Sequence, residues 1–331
     1  MMEHFAIFGL REDPFRITPD RHFYYPSRNH TAVREVIRYG LDQGEGFLII
    51  TGEIGSGKTL LLRLMMDDLP QDRFETALLL SPHLSRHELL LAILQDIGLG
   101  QPDGGNTSLD ALLRILNDRL YALTQEGKRL LVVIDEAQNL PDESMEQLRL
   151  LSNFETDSHK LLQIVLFGQP ELRDKLAQPH LRQLTQRVTI METLHPLQKQ
   201  EIGDYIHFRC GRAGQQNLTL SRRVVNLLWR HSHGYPRLIN KIMSRSLLVA
   251  CGEGKTTLTA GIVREAIATF NTPVAKRLSH RLWIWKAVAA GAILLLLALL
   301  WMNTPRLPWL PTFPRINAPT PLADAHDNTR R

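Results

Sequence analysis

Four short apolar runs alternate with segments of helical periodicity in the first half of the chain. They are residues 46–51 (GFLIIT), 75–80 (ETALLL), 129–134 (RLLVVI) and 161–167 (LLQIVLF). Runs of this length and composition are typical of strands buried on both faces of a parallel sheet. Residues 85–97 and 108–123 carry apolar side chains at helical spacing between the second and third runs. The pattern predicts an α/β domain in which helices flank a parallel sheet.

The strand pattern ends near residue 195, and only amphipathic segments follow it. They cover residues 196–210, 221–231, 236–250 and 259–270. Each begins with proline, serine or threonine, which are residues that favour the first positions of a helix. We therefore expect an α/β domain over residues 1–195 and a small all-helical domain over residues 196–272.

Residues 282–302 (LWIWKAVAAGAILLLLALLWM) contain a single charge, at Lys286. As a helix the segment would be about 31 Å long, which matches a hydrocarbon core of roughly 30 Å. A buried core helix of this length would show a polar face, and residues 287–302 have none. Tryptophans stand near both ends, as at a membrane interface. The segment predicts a transmembrane helix.

The flanks of this segment predict its orientation. A basic linker, residues 273–281, precedes it, and the residues just beyond it carry fewer positive charges. Positive charges favour the cytoplasmic side, so the N-terminal part is expected in the cytoplasm of a bacterial cell and residues 303–331 in the periplasm. Those 29 residues include six prolines and lack a periodic apolar pattern, which predicts a disordered tail.

Composition adds little to this picture. The formal net charge is +5, but part of it surrounds the apolar segment, so it is weak evidence for a nucleic-acid partner. The two cysteines, Cys210 and Cys251, have no metal-ligand spacing and are expected to be plain thiols. The first thirty residues lack the basic start and apolar run of a signal peptide.

One motif indicates phosphate binding. The pattern GxxxxGK[ST] is formed by Gly52, Glu53, Ile54, Gly55, Ser56, Gly57, Lys58 and Thr59. Glycines let such a loop approach a phosphate closely, and the helix that follows directs free N–H groups at the anion. Here an apolar strand pattern precedes the loop and LLLRLMM follows it. We expect Lys58 to reach the β- and γ-phosphates of ATP and Thr59 to bind Mg²⁺.

An acidic pair, Asp135 and Glu136, follows the third apolar run. Ligands in open α/β sheets bind where the strands end, so this pair is placed near the phosphate loop. Asp135 suits Mg²⁺ coordination, and Glu136 suits orientation of an attacking water. The alternative is that the pair caps the next helix, which begins near Asp142.

Three further positions are candidates for the same site. Gln169 follows the fourth run and is either a sensor of the γ-phosphate or a turn amide that satisfies nearby backbone groups. Arg182 and Arg187 precede a strand-like segment at 188–191, where either is an arginine finger for a neighbouring subunit or a solvated surface charge. Arg237 lies in the first turn of a predicted helix, where a cation opposes the helix dipole and calls for an anionic partner.

Several longer stretches resemble one protein family. They are FGLREDPFRITPDRHFYY from Phe8, QGEGFLIITGEIGSGKTLL from Gln43, DEAQNLPDESMEQLRLLSNFET from Asp135, LLQIVLFGQPEL from Leu161, LRQLTQRV from Leu181 and GYPRLIN from Gly234. On these stretches residues 1 to about 270 resemble the ExeA/GspA family of AAA+ ATPases, and most closely its branch in MSHA pilus biogenesis.

The resemblance implies a P-loop NTPase fold of AAA+ type, a helical lid, and ATP and Mg²⁺ as ligands. The candidate finger arginines, in turn, predict a homo-oligomer, either a ring or a filament. The resemblance implies these roles: Lys58 and Thr59 in Walker A, Asp135 and Glu136 in Walker B, Gln169 as sensor 1, Arg187 or Arg182 as the finger, and Arg237 as sensor 2. It further implies that Phe15 and its neighbours wall the adenine pocket. Members usually carry asparagine at sensor 1, and ExeA-like members a peptidoglycan-binding region that is not expected here.

Three functions follow from these features. The first is a membrane-anchored ATPase, with ATP hydrolysis driving assembly of a type IV pilus or type II secretion machinery at the inner membrane. The second is a DNA-bound regulator of transposition like TnsC or TniB, which has no reason to carry the apolar segment 282–302. The third is a scaffold that binds ATP without hydrolysing it, which an intact Glu136 argues against. Nucleic acid is therefore not expected as a partner.

Overall fold

The computed structural model describes residues 7–80, 83–100, 107–156, 160–216 and 218–270. They belong to one compact unit, Met1–Asn271. The predicted linker, transmembrane helix and tail all lie outside the described residues. Within the described ranges, none of the helices combines the length and the apolar character that a membrane crossing requires.

A five-stranded parallel sheet forms the centre of the α/β domain. Its strands are β1 (Phe47–Thr51), β2 (Phe74–Leu79), β3 (Arg129–Ile134), β4 (Leu162–Gly168) and β5 (Ile190–Thr193). Their order in the sheet is β2-β3-β4-β1-β5. The four runs predicted as strands are thus confirmed to within a residue or so, and the strand-like segment at 188–191 forms β5 slightly later.

One helix precedes β1, and the others connect the strands. They are α1 (Arg28–Gln43), α2 (Lys58–Asp68), α3 (Arg86–Asp96), α4 (Leu109–Gln125), α5 (Asp142–Leu151), α6 (Glu171–Leu176) and α7 (Arg182–Thr185). Short 3₁₀ turns lie at Arg21–Phe23, Ala137–Asn139 and Pro179–Leu181. The α/β class with a flanked parallel sheet is therefore confirmed.

Serine caps define the starts of the longer helices. Ser85 forms a capping box with Glu88 at α3, and Ser108 caps α4 through the N–H of Ala111. Ser27 caps α1, which the apolar pattern did not predict. This helix ends at Gly44, whose φ of 80° lies in the left-handed region that glycine tolerates.

The sheet has a hydrophobic core on each face. On one face Ile49, Val132 and Ile134 pack with the helices α3, α4 and α5. On the other face Ile50 and Val133 pack with α1 and α2. Because the central strands β1, β3 and β4 are buried on both faces, they consist mostly of continuous apolar residues and show no alternation.

Four helices follow the sheet in the described residues and pack into a helical domain with its own core. They are α8 (Glu201–Arg212), α9 (Arg222–Ser232), α10 (Pro236–Gly252) and α11 (Ala260–Phe270). The first of them begins at Glu201 and not at Pro196. The segment before it follows a different path, because the N–H of Leu197 donates to the carbonyl of Gly234 over 3.0 Å.

The N-terminal segment packs into the core of this helical domain. Phe8, Phe15 and Phe23 are buried among side chains of α8 to α11. Arg209 of α8 is itself buried and donates from Nε to the carbonyl of Pro14 and from Nη1 to that of Phe23. From residue 7 the described chain therefore runs along the helical domain and then enters the sheet domain through α1.

Candidate nucleotide-binding site

The carboxyl ends of three neighbouring strands bring the predicted site residues together. Thr51, the last residue of β1, is in register with Gly168 of β4, and Ile134 of β3 with Leu166. The phosphate loop follows β1, the acidic pair follows β3, and Gln169 follows β4. Parallel strands place their following residues at one edge of the sheet, so residues distant in sequence become neighbours there.

The loop Gly52–Thr59 leads into α2, which begins at Lys58. Gly57 has a φ of 108°, a conformation that side-chain-bearing residues rarely adopt. Gly55 is in close contact with the helical domain, since its carbonyl accepts a hydrogen bond from the N–H of Arg237 over 3.3 Å. The loop is thus followed by a helix N-terminus and covered from one side by α10, an arrangement suited to an anion.

Lys58 lies in the loop with 6% of its surface exposed. Its Nζ donates to the carbonyl oxygens of Gly52 and Glu53, over 2.7 and 3.2 Å. Burial lowers the pKa of Lys58, while the carboxylates of Glu136, Asp135, Glu53 and Glu171 oppose that shift. The ammonium group is held by neutral carbonyls beside several carboxylates.

Thr59 and Asp135 are in direct contact. The Oγ1 of Thr59 donates to Oδ2 of Asp135 over 3.1 Å, and Oδ1 of Asp135 accepts from the N–H of Glu136 over 2.9 Å. Burial raises the pKa of Asp135, against the effect of both hydrogen bonds. The two side chains present a hydroxyl and a carboxylate oxygen side by side, which are donors that Mg²⁺ accepts.

Glu136 is held by two amides. Its Oε2 accepts from Nε2 of Gln138 over 2.7 Å and from Nε2 of Gln169 over 3.0 Å. Gln138 in turn accepts, through Oε1, the N–H of Gln169 over 3.0 Å. Burial acts to raise the pKa of Glu136, but the two amide hydrogen bonds and the charge of Lys58 outweigh it and lower the pKa. The carboxylate is therefore ionised and fixed in position.

The backbone contributes to that position. Glu136 has a φ of 51°, in the left-handed region that costs residues other than glycine about 1–3 kcal/mol. Neither acidic residue caps α5, whose N-terminal residue Pro141 makes no side-chain cap. The predicted alternative of a helix-capping pair is therefore wrong. Gln169 likewise donates to a carboxylate and not to local backbone, so it is not a simple turn amide.

A cleft of about 480 Å³ opens between the loop and the helical domain. Its lining includes Lys58, Thr59 and Glu136 at the sheet edge and Arg237 from α10. The opposite wall consists of these residues: Arg16–Asp20, Phe23–Tyr25, Leu197, Tyr205, Arg209, Pro236 and Asn240. Phe15 was expected in this wall, but its side chain lies in the core of the helical domain with 1% exposure. Its neighbours Arg16 to Asp20 do line the cleft.

The arginines divide into two groups. Arg237 borders the cleft with an exposed side chain, and no carboxylate pairs with it among the described residues. Arg187 lies beside Lys160, whose pKa is lowered by burial and by the charge of Arg187. Lys160 precedes β4, so Arg187 is at the amino-terminal edge of the sheet, opposite the loop. Arg182 is exposed and does not border the cleft either.

Three elements of the site were not predicted. Gln138 stands in the sequence two residues after Glu136, and that spacing is the only sequence signal for its contact. His30 lies under the phosphate loop, with Nε2 2.9 Å from the carbonyl oxygen of Ser56. Tyr205 and Asn240 join α8 to α10 through a 2.7 Å hydrogen bond at the cleft wall. The last two arise from packing between distant segments.

A phosphate loop, an adjacent hydroxyl–carboxylate pair and an ionised glutamate meet at the edge of a parallel sheet beside a helical lid. These features define a P-loop ATPase of the AAA type. In agreement, residues 41–176 match the AAA domain family. The predicted P-loop fold with a flanked parallel sheet is thereby confirmed, and the match agrees with the predicted class of P-loop ATPase.

One relative is similar over much of the chain. The chain is 42% identical over 254 residues to the General secretion pathway protein A of Aeromonas hydrophila, which covers 77% of this chain. The predicted resemblance to the ExeA/GspA ATPases is confirmed by this match. The chain spans 46% of the length of that relative.

Solved structures agree on the fold. The ORC2 protein of Aeropyrum pernix in its ADP form has a TM-score of 0.58 at 16% identity, over 77% of this chain and 71% of that one. Cdc6p of Pyrobaculum aerophilum has a TM-score of 0.56 at 18% identity, over 79% of this chain and 70% of that one. At these identities the likeness concerns the fold alone.

Proposed function

We propose that the chain is a membrane-anchored ATPase of the AAA+ type that drives assembly of a secretion or pilus machine at the bacterial inner membrane. The observation that supports hydrolysis is the fixed carboxylate of Glu136 at the cleft, with two amide donors on one oxygen. A protein that only binds ATP has no need to orient an ionised carboxylate beside the phosphate loop.

In this proposal Lys58 exchanges its carbonyl partners for the β- and γ-phosphates of ATP. The N–H groups of the loop and the start of α2 bind the remaining phosphate oxygens. Arg237 at the cleft border contacts the γ-phosphate from the lid. Glu136 accepts a hydrogen bond from the attacking water and aligns it with the γ-phosphorus. Gln169 acts on that reaction through Glu136.

Thr59 and Asp135 are the proposed residues for Mg²⁺. Among the residues that the structure describes, no group of three or more His, Cys, Asp or Glu side chains is arranged to hold a metal ion. That fits Mg²⁺, which typically takes one or two protein ligands and completes its shell with phosphates and water. When bound, the ion would neutralise negative charge that develops on the β- and γ-phosphate oxygens.

The finger arginine is proposed to come from a second copy. Arg187 is at the edge of the sheet opposite the loop, and strands of this length separate those edges by roughly 17 Å or more. Arg187 therefore cannot contact the nucleotide of its own chain. In a ring or filament it can contact the nucleotide bound to a neighbouring copy. Arg182 is the alternative finger.

Secretion is the favoured context because the relative at 42% identity bears that name. The MSHA-like pilus context rests on the resemblance in sequence, and the membrane anchor rests on residues 282–302. A DNA-bound regulator of transposition is not favoured, because such a protein has no reason to carry the apolar segment 282–302. Partners would then be pilus or secretion assembly proteins.

Steady-state hydrolysis tests the catalytic part of the proposal. Replacing Glu136→Gln should leave ATP binding intact and lower turnover by a hundredfold or more, as removal of a water-orienting group does. Unchanged turnover would rule out the catalytic role of Glu136 and favour a scaffold that binds ATP without hydrolysing it. Mixing Lys58→Ala subunits with Arg187→Ala subunits should restore part of the activity, because one intact site then forms at each mixed interface. No recovery would argue against a shared site.

Fractionation tests the anchor. Deleting residues 282–331 should release the protein from membranes to the soluble fraction, whereas the full chain should sediment with them. A truncated chain that still sediments would contradict the anchor without affecting the ATPase.

A further inference from the structure

His30 occupies a buried position between α1 and the phosphate loop. It lies in the first turn of α1 with 5% of its surface exposed. Its Nε2 is 2.9 Å from the carbonyl oxygen of Ser56, and its Nδ1 is 2.6 Å from Oγ of Ser27. Ser27 and Ser56 are buried as well. Both ring nitrogens thus have a partner inside the protein.

These partners determine where the ring proton lies. A carbonyl oxygen can only accept, so Nε2 must carry the proton that it shares with Ser56. Ser27 already accepts the N–H of His30 as the helix cap, over 3.3 Å, and its hydroxyl proton is free to donate to Nδ1. Of the two neutral tautomers of His30, only the one protonated on Nε2 therefore satisfies both ring nitrogens. Burial lowers the pKa of His30, against the Ser56 hydrogen bond and the charge of Glu201, which supports the neutral form.

The contact also determines the orientation of one peptide plane in the loop. The carbonyl oxygen of Ser56 and the N–H of Gly57 belong to the same trans peptide, so they point in opposite directions. Because the carbonyl is directed to His30, the N–H of Gly57 is directed away from α1. Backbone N–H groups of such loops are the groups that hold phosphate. The left-handed φ of Gly57 permits this turn of the chain.

The imidazole of His30 is closely packed against the phosphate loop. A Cβ on Gly57 would lie 2.7 Å from Nε2 of His30, closer than real contacts allow. Tyr24 covers the ring edge-on, with the two ring centroids 6.4 Å apart. The hydroxyl of Ser56 is buried without a partner in the described part of the chain, so it offers the loop no other support. The imidazole is thus the side chain that supports the Ser56 carbonyl.

We propose that His30 is a positioning residue for ATP binding: its Nε2–H holds the Ser56 carbonyl and thereby presents the N–H of Gly57 to the phosphates. The proposal rests on nucleotide binding at this loop. Helix α1 would then contribute to the nucleotide site through a residue that lies outside the phosphate-loop motif.

Substitutions of similar size separate the hydrogen bond from the packing. His30→Gln keeps an N–H donor near the position of Nε2, whereas His30→Met fills similar volume without a donor. With the full chain and a fluorescent ATP analogue plus Mg²⁺ at pH 7.5, the Gln variant should bind within about threefold of the unaltered protein. The Met variant should bind about tenfold more weakly or worse, as expected for a buried carbonyl that loses its donor.

A second histidine supplies the matched control. His207 also places Nε2 on a backbone carbonyl, that of Leu218 at 2.8 Å, but it lies in the helical domain and does not border the cleft. His207→Met should leave ATP affinity within about twofold. Equal affinities for the Gln and Met variants of His30, whether both normal or both weak, would overturn the proposal.

A milder variant covers the case in which His30→Met does not fold. Ser27→Ala leaves the imidazole in place and removes the hydroxyl that donates to Nδ1, so the Nε2–H form is less strongly favoured. ATP affinity should fall by about two- to fivefold, and His30→Gln should suppress that loss when the two changes are combined, because an amide has no alternative tautomer. An unchanged affinity in Ser27→Ala would refute the role of His30.

Discussion

Replacing Gln169→Leu tests whether Glu136 works through its position or only through its charge. In the structure Gln169 supplies one of two amide donors to Oε2 of Glu136, at 3.0 Å, and Gln138 supplies the other at 2.7 Å. Leucine has nearly the same volume as glutamine and removes the donor without adding a charge. The carboxylate then keeps Gln138 and loses the constraint from β4.

The expected loss in kcat follows from the free energy of one hydrogen bond to a carboxylate. A hydrogen bond to a charged group contributes about 1.5–3 kcal/mol, and each 1.36 kcal/mol in a barrier changes a rate tenfold. If orientation is what the bond provides, kcat should fall by roughly 10- to 100-fold. Loss of a donor also raises the pKa of Glu136 from its lowered value. The ordinary pKa of glutamic acid, about 4.3, is still far below pH 8, and Gln138 and Lys58 continue to oppose the effect of burial.

Measuring kcat and KM from pH 6 to pH 8.5 separates the two effects. We expect a loss in kcat that persists at pH 8, with KM changed less than threefold because Gln169 does not border the cleft. Gln178→Leu, at an exposed glutamine away from the cleft, is the control and should behave normally. A variant that regains full kcat at pH 8, or one impaired only in KM, would refute the argument.

Three other predictions address the packing and the titrating groups. Phe15→Ala should lower the free energy of unfolding by about 3–5 kcal/mol in urea titrations while changing ATP affinity little. A large loss of ATP affinity with little change in stability would instead place Phe15 in the adenine pocket. Burial raises the pKa of Cys210 to about 12, so a thiol reagent should modify only Cys251 in the native protein and both cysteines in denaturant. Rapid modification of both cysteines in the native protein would contradict the buried position of Cys210. The lowered pKa of His30 means that the unfolded chain binds a proton more readily than the folded protein. Stability should therefore decline as the pH falls below about 6.5, the ordinary value for imidazole, and His30→Gln should show a smaller decline between pH 7.5 and 5.5.

The strands were predictable because each one carries its own signal. A strand buried on both faces needs apolar residues along its whole length, and β1, β3 and β4 show that run directly in the sequence. The phosphate loop was predictable for a similar reason. Its glycines, lysine and threonine are contiguous, and the strand and helix on either side of it are local as well.

Helix α1 shows where a local signal is too weak. Five of its sixteen residues are buried, and they include His30 and Gly40, which are not apolar anchors. A Cβ on Gly40 would lie 2.5 Å from the side chain of Ile190 in β5 and 2.9 Å from that of Leu48 in β1, so a small residue suits this close approach to the sheet. Its apolar stripe consists of Val33, Ile37 and Leu41 at a spacing of four residues, and the Ser27 cap and the Gly44 end are the clearer local signals.

The sequence by itself determined the class of the fold, the phosphate loop, the acidic pair and the helical domain, since each depends on residues that are close together in the chain. The tertiary structure decided which side chains meet. Gln138 and Gln169 meet on Glu136 because β3 and β4 are neighbours, and His30 meets Ser56 because α1 packs against the loop. Phe15 joins the helical domain because a buried guanidinium, Arg209, binds the carbonyl of the preceding residue. Periodicity tells which residues are buried, but the partner of each buried group depends on how the elements pack.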